Sequence, residues 1–80
     1  MRTATSVEDL VASVFGVLRA EIDDRSSPDT VEGWDSMGHL NLVMELERTF
    51  DLSIPIADAI EMASVEKIKD VLRAYGALPA

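Results

Sequence analysis

Two residues in the stretch G-W-D-S-M-G-H-L, 33 to 40, have side chains that could act on another molecule: the hydroxyl of Ser36 and the imidazole of His39. Residues three apart on a helix are neighbours, so a hydrolytic Ser–His pair is the first chemistry to test. It fails. A nucleophile elbow reads G-x-S-x-G and sits on a sheet, whereas this run is G-W-D-S-M-G in a chain of 80 residues. One serine and one histidine on a single helix also lack an oxyanion hole and a pocket. His39 is the only histidine and there is no cysteine, so a zinc site has no ligand set. His39 therefore reads as a solvated surface residue. A calcium loop starting at Asp23 would need glycine at its sixth position and glutamate at its twelfth, and those positions hold Pro28 and Trp34.

Two readings of Ser36 remain. In the plainer one it is a helix-start residue, where serine is common. In the other, the helix N-terminus favours an anion, and a phosphate esterified to Ser36 would sit well there. Asp35 would repel such a phosphate unless a cation bridged them. Asp35 is then a helix cap, an aid to metal binding during modification, or both.

The elements that must position these residues can be read from apolar spacing. Ser6 and Asp9 mark a helix start, and Val7, Leu10, Val11, Val14, Phe15 and Leu18 give it a buried face, predicting a helix over about 6–20. Residues 21–35 form a long connection rich in Asp, Ser, Pro and Gly, with Ile22, Val31 and Trp34 as its only core anchors. A loop of that length in so small a chain suggests function. The second helix is predicted over 36–50, capped by Asp35, with Leu42, Val43, Leu46 and Phe50 facing the core. Met37, Leu40 and Met44 form a neighbouring stripe. That stripe is either additional core, as residues at helical spacing usually are, or an exposed contact surface of the kind methionine favours. An extended segment closed by Pro55 leads to a short helix over 57–62 carrying Ile60 and Met62. A last helix over 64–76 starts at Ser64 and buries Val65, Ile68, Val71, Leu72 and Tyr75, with Gly76 as its C-terminal cap. The expected fold is all-α: a small four-helix bundle in one domain.

Composition narrows the partners. Residues 21–61 hold eleven acids and two bases, for −9 of a total of −8. Such a chain repels nucleic acid and anionic lipid and attracts a protein with a basic patch, although acidity also serves plain solubility. No apolar run approaches a membrane span and no secretory leader is visible, so the expected compartment is the cytoplasm.

The ordered set Asp35-Ser36-Met37, Leu42 to Phe50 with Leu46-Glu47, Ile54-Pro55, Asp58-Ala59 and Ser64-Val65 resembles acyl carrier proteins over almost the whole chain. The resemblance implies a non-catalytic carrier and a four-helix bundle with a long first loop. In that family a phosphopantetheinyl transferase uses coenzyme A and magnesium to attach 4′-phosphopantetheine to the serine of this motif, here Ser36. The thiol at the end of the arm carries acyl groups as thioesters, which accounts for a chain with no cysteine of its own. Acyl chains can lodge between the helices. The second helix is the docking surface, so Met37, Leu40 and Met44 become contacts for acyl-loading and acyl-processing enzymes, Glu45 and Glu47 face their basic patches, and Arg48 makes the surface less acidic. Met37-Gly38-His39, Asn41 and Arg48 depart from fatty acid carriers, and the W-D-S-x-G-H-L run looks more like carriers of specialised, polyketide-type pathways. Gly38 is expected to weaken the first turn of the helix. A monomer is the family expectation. The alternatives are a peptidyl or aminoacyl carrier of a nonribosomal pathway, and an unmodified helical adaptor that binds through the 37/40/44 stripe.

Overall fold

The computed structural model describes residues 6–78. Four α-helices follow in order: α1 Val7–Phe15, α2 Ser36–Phe50, α3 Ile56–Glu61 and α4 Val65–Ala74, with a short 3₁₀ turn Arg19–Glu21 after α1. No strand occurs among the described residues. No helix among them is long and apolar enough to cross a membrane.

Three helices start on the same local device. The side chains of Ser6, Asp35 and Ser64 accept the backbone N–H three residues on, from Asp9 (3.0 Å), Gly38 (2.8 Å) and Lys67 (3.2 Å). Each satisfies one of the donors that a helix start leaves without a partner.

The first helix ends at Phe15, five residues short of the predicted boundary at 20. Gly16 takes a left-handed conformation (φ 67°), and its N–H returns to the Ala12 carbonyl. The Val17 N–H reaches the same carbonyl at 3.0 Å, closing the helix in a glycine cap. Leu18 consequently leaves the buried face and is 70% exposed. The boundaries of α3 and α4 shift by one or two residues: α3 starts at Ile56 and α4 stops at Ala74. Tyr75 lies past that end and is exposed rather than buried. Its hydroxyl donates to Asp58 of α3.

The core is built from Val7 and Val11 of α1, Leu42 and Leu46 of α2, Met62, and Val65, Ile68 and Leu72 of α4, all essentially sealed from solvent. The three expected loop anchors, Ile22, Val31 and Trp34, are buried with them. The long connection is folded onto α4. Its Ser26 and Asp24 carbonyls accept the N–H groups of Val65 (2.9 Å) and Glu66 (3.0 Å). Together with the Ser64 side chain, which accepts the Lys67 amide, they satisfy three of the four leading donors of α4. Part of the loop's length is therefore explained by capping.

Lys69 fastens the same region. Its ammonium lies 2.5 Å from Glu8 of α1 and 2.7 Å from Asp24 of the loop, with the lysine side chain largely covered. Burial pushes the Glu8 carboxyl up, but the Lys69 bond, a backbone bond and nearby positive charge together hold it below its ordinary 4.5. The Lys69 bond likewise holds Asp24 below 3.8. The two carboxylates, Asp24 first, hold Lys69 above 10.5.

Gly38 is a packing requirement. A Cβ there would lie 2.0 Å from the Gly33 carbonyl oxygen and 2.8 Å from the Phe15 ring. Helix propensity alone would reward Gly38→Ala by about 1 kcal/mol. We expect the opposite sign, a loss of about 1–3 kcal/mol from overpacking against backbone. Thermal unfolding decides between them, since each kcal/mol moves the midpoint by about 4–8 °C in a domain this size.

The Lys69 cluster predicts a stability plateau with two edges. Carboxyls with lowered folded pKa contribute stability above their ordinary values and lose it as pH falls through the lower folded ones. A lysine with a raised pKa contributes below its ordinary value and loses that share as pH rises through the higher folded one. Asp24 is exposed, so water and salt screen its part. Urea midpoints should therefore drop below pH 4.5 and above pH 10.5, and Lys69→Met should flatten both edges.

Candidate functional site

The head of α2 is placed by the residue two positions before it. Trp34 is 2% exposed. Its ring stacks on Phe15 at the end of α1 (centroids 5.5 Å apart) and on His39 in α2 (6.2 Å). With the indole held inside, the chain turns outward at once: Asp35, Ser36 and Met37 are all exposed. Asp35 is the helix cap the sequence suggested, its carboxylate on the Gly38 N–H and its carbonyl accepting the His39 N–H at 2.7 Å. The Ser36 hydroxyl thus stands in solvent at the first position of a helix, where dipole and amides favour an anion.

His39 is not the solvated residue expected from the sequence. The Trp34 indole N–H donates to its Nδ1 at 2.9 Å, and its Nε2 lies 2.7 Å from the Ala59 carbonyl oxygen. An indole N–H can only donate and a carbonyl can only accept. The ring is therefore the neutral tautomer with hydrogen on Nε2. Both nitrogens are engaged, so His39 has no lone pair to offer Ser36 as a base. Nothing in the sequence period signals these partners, which lie five residues before and twenty after it.

Beside Ser36 a groove of about 240 Å³ runs between α2 and α3, lined by Ser36, His39, Leu40, Val43, Met44, Glu47, Ile54, Ile56 and Ala59. Its body is aliphatic and its polar groups lie at the ends. The stripe whose role the sequence left open is on the outside: Met37, Leu40 and Met44 are 68%, 54% and 56% exposed. Ile56 and Ile60 of α3 extend the apolar surface. Exposure of these two was missed, because a six-residue helix is too short for its period to reveal a face. The charges of α2 are partly occupied. Arg48 pairs with Glu45, and Glu47 Oε2 accepts the Ile54 N–H at 2.8 Å.

This arrangement can hold a group on an exposed hydroxyl and shelter an apolar tail next to it. The family model described as "Phosphopantetheine attachment site" matches residues 5–72. The chain belongs to that family. Its similar relatives include proteins called acyl carrier protein in Chlorobium phaeobacteroides, Chlorobium phaeovibrioides and Chlorobium luteolum. Each is 35% identical over 66 residues, covering 82% of this chain and 85% of the relative. As a member of the phosphopantetheine attachment site family the chain is a carrier and not a catalyst, and its cofactor is covalent 4′-phosphopantetheine. A phosphopantetheinyl transferase and acyl-processing enzymes are the general partners of such carriers. The open hydroxyl at a helix N-terminus and the adjoining aliphatic groove fit a phosphate ester with a long arm.

The cap and the charge of Asp35 can be separated. Asp35→Ala should cost about 1 kcal/mol through loss of the Gly38 bond, while Asp35→Asn, which caps equally well, should stay within a few tenths. Denaturant midpoints of the two variants measure this directly. Equal losses in both would mean that the carboxylate charge, not the bond, supports the helix start.

Proposed function

We propose that Ser36 is the attachment point of the phosphopantetheine arm, and that the chain presents acyl groups to partner enzymes in a specialised, polyketide-type or fatty acid pathway of the cytoplasm. The observation that carries the reading is the position of Ser36. It is exposed at the head of α2, capped by Asp35, and shares a groove with Leu40, Val43 and Met44. When bound, the group supplies a terminal thiol that holds acyl groups as thioesters. On attachment Ser36 would give up its hydroxyl proton and its Oγ would bond to the phosphorus that bears the pantetheine, while the diphosphate bond of coenzyme A breaks and adenosine 3′,5′-bisphosphate leaves. The α2 N-terminus then faces the phosphate with a favourable dipole. Asp35 keeps the helix start formed and lends a carboxylate to the metal ion that the transferase brings.

In this reading Met37, Leu40 and Met44 are the apolar contacts for partner enzymes, flanked by Glu45, Glu47 and Arg48. The pairing of Arg48 with Glu45 leaves less free negative charge on α2 than the −9 of residues 21–61 would suggest. That supports a specialised pathway over a housekeeping one. A monomer fits a surface kept open for successive partners. The alternative with structural support is the unmodified adaptor, since the same exposed stripe would serve it.

Intact mass after incubation with coenzyme A, magnesium and a broad-specificity transferase tests the reading. The parent chain should gain one phosphopantetheine and Ser36→Ala none. An unmodified parent, with a known carrier labelled in the same reaction, would favour the adaptor.

A further inference from the structure

We infer that His39 sets the chain length the groove accepts: its bond to Ala59 closes the end next to Ser36 and limits a sheltered acyl group to a short chain. The inference rests on Ser36 as the attachment point.

The groove wall on α2 is formed by residues 36, 39, 40, 43, 44 and 47, one continuous face about 16 Å long at 1.5 Å per residue. Ile54, Ile56 and Ala59 form the opposite wall. Two hydrogen bonds tie the walls together. At the far end the Ile54 N–H donates to Glu47 (2.8 Å), and near Ser36 the His39 Nε2–H donates to the Ala59 carbonyl (2.7 Å). An arm that starts at Ser36 meets the second bond first.

His39 is held from behind and cannot swing aside at no cost. Its Nδ1 accepts from the buried Trp34 and its ring lies over the indole. The opposite wall is less firmly held. α3 has no side-chain cap and buries none of its own residues. Beyond His39 its ties are the exposed Tyr75–Asp58 bond, the partly buried Ala59 packed against the core, and the anchors Ile54 and Met62 on either side. The clasp, not the bulk of α3, therefore sets the width of the groove near Ser36. A longer chain must displace Ala59 and leave the imidazole N–H without a partner, while the Ala59 carbonyl keeps only the Met62 N–H at 3.2 Å.

The test loads the full chain by transfer from acetyl-, butyryl-, hexanoyl- and octanoyl-coenzyme A and follows the melting temperature of each product. In the parent, stabilisation should rise with the short chains and level off or reverse by octanoyl. In His39→Ala it should keep rising, and in His39→Gln, whose amide can still reach Ala59, it should follow the parent. Identical chain-length profiles in the parent and His39→Ala overturn the inference. Hydrogen exchange on the unmodified chain gives a readout independent of loading. His39→Ala should speed the α3 amides about fivefold, the population change worth one ordinary hydrogen bond, and leave α1 and α4 unchanged. Unchanged α3 exchange, or a uniform rise in every helix, also overturns it. Intact mass separates the two readings: no loading on Ser36 defeats the attachment point and with it the cargo limit, while α3 exchange still reports whether His39 holds the wall.

Discussion

The burial of one indole organises the functional end of this molecule. Trp34 is enclosed between Phe15 and His39, and each neighbour transmits the constraint to a different element. Through Phe15 it fixes where the end of α1 lies against the loop. Through its N–H it selects the tautomer of His39, and so makes that ring a donor to α3. Because the indole draws the chain inward immediately before α2, the first turn of that helix comes hard against Gly33 and Phe15. Only glycine fits at 38. A buried aromatic with a polar edge needs a partner for that edge, and here the partner links the site to the facing wall of the groove.

The long first loop follows a related logic. Loops lie on surfaces because their backbone groups are hard to satisfy inside, yet this one turns its carbonyls onto the head of α4. The loop and the helix start each supply what the other lacks, and Lys69 adds a charged tie to the same junction. Ser26, buried with its hydroxyl on the Asp23 N–H, lets the backbone turn at the point of contact.

What could be read from the sequence was what is local. The caps at Ser6, Asp35 and Ser64 act over three residues. The core faces of α2 and α4 repeat with the helical period, and the loop anchors stand out as apolar residues in a polar stretch. The all-α bundle and the place of Ser36 at the start of α2 follow from these. The end of α1 did not show, because Leu18 continues the period while a single glycine inside a helical pattern is only mildly unfavourable. The role of Gly38 was inverted, since propensity counts its missing side chain as a loss and packing counts it as a fit. His39 looked like a surface residue because its partners lie in other elements. The α2 stripe could not be assigned either way from spacing, as a broad apolar face serves core and surface alike. Only the position of α3 relative to α2 decides which side is covered.

The methionines among the described residues divide sharply by environment, with Met37 and Met44 open to solvent and Met62 sealed in the core. A thioether is readily oxidised to a sulfoxide, which converts a flexible apolar side chain into a polar one and is reversed enzymatically. Peroxide would therefore reach the α2 stripe without reaching the core. Two oxygen atoms could turn much of the apolar face polar while helices, caps and core stay as they are, so this surface can be chemically altered, and restored, independently of the fold that carries it.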